Sequence, residues 1–239
     1  MATLNTQAIS LYYEVYGNPI NPPVLVLSGL GGSGKNWSSQ IDRFSTDYYV
    51  VVPDHRGTGQ STHARSGYKT VQLATDMAVE HFALGLMHVV GASTGGAIGQ
   101  SMALDYPQTV RTLMMVASFA FVRREFEVQR KLAAQWEKCA LLSGYAFLPF
   151  SPKYTREHPD WVTAWIERTA AQPAEPEDRE MALKGIDMIA AHNALPRLGD
   201  VGQPTLVVCD SQDFYTSLPL SEEIARAIPG SELVADCVI

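Results

Sequence analysis

Cysteine is scarce in this chain. Cys139, Cys209 and Cys237 are widely separated, form no CxxC and stand in no His/Cys cluster of metal-ligand spacing, so neither a disulfide scaffold nor a zinc site is legible. A reducing compartment fits that usage, and the cytoplasm is the expected location. Basic charge is short too: 18 Lys and Arg stand against 25 Asp and Glu, for a net charge of -7. No segment forms the basic stripe that a phosphate backbone requires, which excludes nucleic acid as a partner. Long apolar runs are missing. The most apolar stretch, TLMMVASFAFV at 112 to 122, has about half the length needed to cross a bilayer. The opening MATLNTQAISLYYEVYG has no basic start leading into an apolar core, so it does not read as a secretory signal. Internal repeats and low-complexity tracts are absent as well. What these absences leave is a globular protein whose partner is a small molecule.

The 239 residues, 46% hydrophobic, suffice for one full core and a smaller insertion. Short continuous apolar runs alternate with amphipathic stretches, the pattern of strands buried on both faces of a parallel sheet. The runs are VLVLSG (24 to 29), YVVVPD (49 to 54), HVVGAS (88 to 93), TLMMVA (112 to 117) and TLVVCD (205 to 210). Between them, residues 71 to 84 carry Ala74, Met77, Ala78 and Phe82 at helical spacing, with Thr70 placed to cap the start. ISLYYEVYG reads as an antiparallel edge ribbon. The expected class is α/β: a mostly parallel sheet, helices on both faces, and a site at the carboxyl ends of the strands. From 119 to 199 the strand rhythm stops. REFEVQRKLAAQWEKCALL and DWVTAWIERTAA read as helices, and QPAEPEDRE reads as a hinge. The expected organisation is therefore a core of 1–118 and 200–239 with a helical insertion, 119–199, over the carboxyl edge. Its aromatics Trp136, Tyr145, Phe147, Trp161 and Trp165 suggest an apolar pocket, although their helical spacing suits core packing equally well.

Gly91, Ser93 and Gly95 form a GxSxG between a predicted strand and a predicted helix. A capping serine in a glycine-rich turn carries the same letters. The strand-turn-helix setting favours a nucleophile, because so tight a turn lifts the hydroxyl to the rim of the sheet and admits only residues without Cβ at 91 and 95. Gly96 and Gly99 then let the following helix approach the sheet. LSGLGGSG (27 to 34) places a second glycine loop at the same edge, so the Leu30 and Thr94 amides are positioned to hold an oxyanion. A phosphate cradle is disfavoured, because GLGGSGKN lacks the GxxxxGK[ST] spacing.

Taken together, SGLGGSGKNW, VVVPDHRGTGQS, VVGASTGG, MALDYPQTVRTLMMVAS and PTLVVCDSQDFYTS resemble the α/β-hydrolases, over residues 9 to 234. The insertion, with FSPKYTREHPDWV, is similar to the helical cap of enol-lactonase-like and esterase-like members. SGLGGSGxxW together with DxRGTG is similar to bacterial hydrolases of pyrimidine breakdown that act on aminoacrylate or carbamate. The resemblance implies that Ser93 is the nucleophile, that Asp213 is the acid orienting a histidine, and that Leu30 and Thr94 are the oxyanion donors. It implies acyl transfer on an ester, lactone or amide/carbamate-type bond with no metal or organic cofactor. Two positions depart from it: Ser28 replaces the common histidine of the loop, and Ala92 stands where histidine is frequent.

The larger departure concerns the base. The family order is serine, acid, histidine, yet none of the 26 residues after Asp213 is histidine. His88 opens the strand that ends at Ser93, so it lies roughly 16 Å away at the wrong end. His81 flanks a helix. His55, His63, His158 and His192 are not excluded by topology, although each suits a solvated or capping role. The expectation is a hydrolase-type chain lacking its carboxyl end and impaired in turnover. A non-catalytic relative that binds a small apolar ligand and a cofactor-free perhydrolase are the alternatives. SELVA is expected to be an exposed edge strand, a surface on which two copies could pair as a homodimer.

Overall fold

The runs of valine and leucine become strands because β-branched side chains pack well on a pleated surface buried on both faces. The computed structural model describes residues 2–5, 9–78, 84–122, 156–170, 176–213 and 215–235. Its strands are β1 (Ala2–Asn5), β2 (Ser10–Tyr16), β3 (Pro23–Leu27), β4 (Tyr49–Pro53), β5 (Met87–Ala92), β6 (Val110–Val116), β7 (Thr205–Val208) and β8 (Glu232–Val234). They form one sheet in the order β1-β2-β4-β3-β5-β6-β7-β8. Pairing is antiparallel for β1 with β2 and for β2 with β4, and parallel from β4 to β8. The ribbon expected at the edge is thus second in the sheet. The four-residue β1 covers it, and its pattern was too short to read.

The described helices are α1 (Ser38–Asp47), α2 (Thr70–Ala78), α3 (Thr94–Asp105), α4 (Pro159–Ala170), α5 (Pro176–Ala191) and α6 (Leu218–Ala227). Strand side chains alternate between faces. Leu25, Leu27, Val51, Val89, Leu113 and Met115 pack against Leu73 and Met77 of α2, Ile98 and Met102 of α3, and Ile224 of α6. Val24, Val26, Val50, Val52 and Val90 face the other way, onto Trp37 and Ile41. On that second face a groove of about 400 Å³ runs over Val24, His88, Val90, Thr112, Met114 and Leu206. Beside it β8 forms the sheet edge, with Leu233 and Val234 exposed.

Two helix expectations need revision. Thr70 does not use its hydroxyl as a cap: Oγ1 meets His192 Nδ1 at 2.9 Å. The supposed hinge QPAEPEDRE contains the start of α5, because a proline in the first turn sets φ for a helix and the acids after it suit the helix dipole. The segment 124–142 read as helical, together with Trp136, Tyr145, Phe147, His81, Phe82, Cys139 and Cys237, lies outside the described residues. Where the chain leaves the sheet after β6 and where it comes back, it pairs with itself: Phe121 bridges Asn193 antiparallel, and the Ala194 amide donates to Ala120 O at 2.9 Å. Among the described residues, no helix is long and apolar enough to cross a membrane.

The sheet order also fixes where a crevice can open. From β3 the chain crosses to β4 on one side, whereas β5 lies on the other, so the loops after β3 and β5 diverge at their carboxyl ends. Those two loops carry Leu30 and Ser93.

Candidate active site

Ser93 sits between β5 and α3 with φ 51° and ψ -117°, a left-handed conformation that costs a non-glycine residue about 1–3 kcal/mol. The surroundings enforce it. The Ser93 amide donates to Val116 O at 2.9 Å, and its carbonyl accepts from the Gly96 amide at 2.9 Å, the Ala97 amide at 3.3 Å and Ser118 Oγ at 2.8 Å. The flanking glycines are required sterically. A Cβ on Gly91 would fall 2.3 Å from Gly95 O, and one on Gly95 would fall 2.2 Å from Leu27 O. Gly96 and Gly99 serve the packing of α3, since Cβ atoms there would lie 2.4 Å from Ser118 Oγ and 2.8 Å from Leu113 Cδ1.

Ser118 was not singled out in the sequence. It follows Ala117, a second non-glycine residue at positive φ (47°), whose amide donates to Val208 O at 2.8 Å. No glycine marks that bend, so the letters gave no signal of it.

The glycine loop after β3 packs directly on the serine. A Cβ on Gly29 would lie 3.3 Å from Ser93 Cβ and 3.8 Å from Ser93 Oγ. Ser28, in the place where the family commonly has histidine, closes this loop: its Oγ donates to Ser33 O at 2.8 Å, and the Gly32 amide donates to Gly29 O at 3.1 Å. Asp54, buried at the end of β4, ties the next turn down by accepting from the Gly34 amide at 2.8 Å through one oxygen and from the Gln60 amide at 2.8 Å through the other. Arg56 braces the same region with a buried two-pronged pair to Asp76, Nε to Oδ2 and Nη2 to Oδ1, both 2.8 Å. Thr94, the first residue of α3, is fully buried, and Leu30 is half-buried.

Asp213 stands in the loop after β7, half-buried. Its Oδ1 accepts from the amides of Tyr215 (2.8 Å) and Thr216 (2.9 Å), and Oδ2 accepts from Thr216 Oγ1 (2.6 Å). The loop itself reaches the crevice through Tyr215. Tyr215, Leu30 and Leu220 pack around Ala97, Phe119, Val122 and Ile189 in one apolar cluster. Helix α5 closes over the glycine loop there, so tightly that a Cβ on Gly185 would sit 2.1 Å from Leu30 Cδ1. Farther along α5, Met181 Sδ receives the Tyr68 hydroxyl at 3.0 Å and Lys184 lies over the Tyr68 ring. Phe119, Val122 and Ile189 carry no site signal in the sequence, because all three belong to the insertion, whose path sequence does not give.

Of the histidines left open by topology, His55 and His192 are engaged elsewhere. His55 is buried, with Nε2 3.4 Å from Gly29 O and Nδ1 3.4 Å from Arg56 O. Burial pushes its ring below the usual histidine range, against the pull of those two carbonyls. His192 is buried between Thr70 Oγ1 and Gln100 Oε1, 3.3 Å from its Nε2, and desolvation lowers its pKa to about 4. Gln100 in turn donates to Phe119 O at 2.9 Å. His88 contacts Thr112 Oγ1 at 2.7 Å in the floor of the groove on the α1 face. His63 and His158 are exposed. Among the described residues, no histidine bonds Ser93 or Asp213.

Comparison with known proteins identifies the fold family. The family model of the alpha/beta hydrolase fold matches residues 22–237. A relative from Azorhizobium caulinodans, named "Putative carbamate hydrolase RutD", is 30% identical over 229 residues, which is 93% of this chain and 84% of that protein. The protein of the same name from Escherichia coli K12 is 29% identical over 224 residues, covering 88% and 81%. Among solved structures, the enol-lactonase of Burkholderia xenovorans LB400 superposes with a TM-score of 0.87 at 22% identity, over 98% of this chain and 90% of that one. Est816, described as an N-acyl homoserine lactone degrading enzyme, superposes at 0.84 with 26% identity, over 99% and 93%.

Proposed function

Because this chain belongs to the α/β hydrolase fold family, we propose that it is a serine hydrolase acting by acyl transfer from Ser93 on an ester, lactone or amide/carbamate-type bond. The observation that carries the reading is the serine itself. A serine whose backbone is held at φ 51° by four hydrogen bonds, at the divergence of two crossover loops, is strain retained where a reacting group is presented. In this reading Ser93 Oγ attacks the carbonyl carbon. The Leu30 and Thr94 amides stabilise the oxyanion of the tetrahedral intermediate, which collapses by breaking the bond to the alcohol or amine as that leaving group takes up the proton lost by Ser93. Water then adds to the acyl-enzyme and releases the acid. Asp213 is the acid that orients and stabilises a protonated histidine. The chemistry draws on no metal or organic cofactor. The apolar cluster of Phe119, Val122, Ile189 and Leu30 supports a small substrate with an apolar acyl part, and the packing of α5 on Leu30 supports 119–199 as a cap. The RutD name of the relatives supports carbamate-type bonds, and the names of the structural neighbours support lactones. The exposed β8 edge supports pairing of two copies.

Serine is a weak nucleophile until a base takes its proton. Since no described histidine bonds Ser93 or Asp213, we propose that this polypeptide turns over several orders of magnitude more slowly than an intact triad allows. The test is p-nitrophenyl acetate hydrolysis by wild type and Ser93→Ala, with and without added imidazole. We expect slow hydrolysis that disappears in Ser93→Ala and that imidazole accelerates only when Ser93 is present. Equal rates in the two proteins would remove the nucleophile assignment. Fast Ser93-dependent turnover without imidazole would remove the impairment. Stabilisation by a small apolar ligand without any Ser93-dependent turnover would favour the second reading, a binding protein built on the same pocket.

A further inference from the structure

We propose that His55 is a positioning residue for the oxyanion hole, holding the Gly29–Leu30 peptide by its carbonyl so that the Leu30 amide faces the reacting carbonyl. The inference rests on the Ser93 reading above. A trans peptide is planar, with its C=O and N–H pointing in opposite directions, so whatever grips the Gly29 carbonyl aims the Leu30 amide. Two groups do so: the Gly32 amide at 3.1 Å, from within the loop, and His55 Nε2 at 3.4 Å, from the loop after β4. That peptide lies beside the nucleophile, as the 3.8 Å separation between a notional Gly29 Cβ and Ser93 Oγ shows.

His55 is itself anchored. Its carbonyl accepts from the Thr58 amide and from Thr58 Oγ1, both at 2.9 Å, and its ring is 2% exposed. Asp54, its neighbour, holds the Gly34 amide of the same glycine loop. The two loops are therefore joined twice, once at each end of the Leu30 turn.

The neutral ring has one N–H to share among the backbone groups of Gly29, Arg56 and Ser28. Donation from Nε2 serves Gly29, and donation from Nδ1 serves Arg56. A contact of 3.4 Å is long for a hydrogen bond at rest. Negative charge developing against the Leu30 amide polarises the whole peptide and makes the Gly29 carbonyl a better acceptor. The contact thus strengthens as the reaction proceeds, and its loss appears in kcat with KM unchanged.

The side chains Gln and Asn separate the two arms, since the Gln amide reaches where Nε2 lies and the Asn amide reaches only as far as Nδ1. In imidazole-supported, Ser93-dependent turnover of p-nitrophenyl acetate, we expect His55→Asn to lower kcat about tenfold at unchanged KM and His55→Gln to recover most of that loss. Equal behaviour of the two variants, or a change confined to KM, would overturn the proposal. Nitrogen-15 spectra of histidine in the wild-type protein test it without any variant: the His55 ring should carry its proton on Nε2, and an Nδ1–H ring would overturn the proposal. A wild type no more active than Ser93→Ala would instead bring down the nucleophile reading, and this inference with it.

Discussion

The serine turn and the acid loop stand at the same edge of the sheet, yet they are held in opposite ways. Ser93 is fixed largely from outside. Two of its four bonds run to Val116 and Ser118, the other two join it to the first turn of α3, and Gly95 is pressed to within atomic contact of Leu27 on another strand. The Asp213 loop is fixed largely by itself: the carboxylate accepts from residues two and three positions onward, Asp210 Oδ1 accepts from the Gln212 amide, and Asp210 O accepts from the Asp213 amide. The difference follows from conformation. A strained φ does not persist unless tertiary contacts impose it, whereas a turn closed by an aspartate is a local preference of that residue. Damage to the first should spread through the core, and damage to the second should stay where it is made.

The hardest test of that contrast is Gly95→Ala. The added carbon meets a backbone oxygen at 2.2 Å, and neither β3 nor α3 can yield without disturbing the sheet. We expect a loss of about 4 kcal/mol in urea unfolding, above what overpacking typically costs, together with loss of the imidazole-supported, Ser93-dependent hydrolysis. A loss below about 1 kcal/mol would mean that the turn is not enforced from outside.

The second test acts by pH on the elbow side. His192 buttresses Gln100 of α3, which grips Phe119 next to Ser118, and its pKa lies near 4 because burial disfavours the charged ring. The unfolded chain protonates this histidine near pH 6.5, the folded chain only near 4. Its contribution to stability is therefore complete above pH 6.5 and is lost as pH falls toward 4, by about 3 kcal/mol in total. Unfolding free energies of wild type and His192→Asn, measured at pH 7 and pH 4.5, should differ in their pH dependence by most of that amount. Parallel profiles would show that the ring is not buried neutral.

Much of this arrangement was readable from the letters, for reasons that differ between the two loops. Five of the six parallel strands were legible because burial on both faces leaves a continuous apolar run, and the elbow was legible because glycines at 91, 95, 96 and 99 record contacts that exclude a Cβ. The acid was placed only through family resemblance, since an aspartate in a polar loop looks like any turn residue. What stayed hidden depends on tertiary context. Ser118 carries no glycine signal, the start of α5 was masked by a Pro- and Glu-rich composition that also suits a hinge, and Ile189 reaches the cluster from an insertion whose path no periodicity fixes.

The mildest perturbation is Thr216→Val, which keeps the shape of the side chain and removes the hydroxyl bonded to Asp213 Oδ2 at 2.6 Å. The two backbone amides on Oδ1 remain, and Asp213 is half-buried, so water can reach the other oxygen from its exposed side. A hydrogen bond to a charged acceptor that solvent can replace is worth about 1 kcal/mol or less here. The unfolding midpoint should fall slightly, with no change in its steepness, because the native fold and the surface exposed on unfolding are the same. A loss comparable to that of Gly95→Ala would show that the acid loop also depends on the core, and the contrast between the two loops would be wrong.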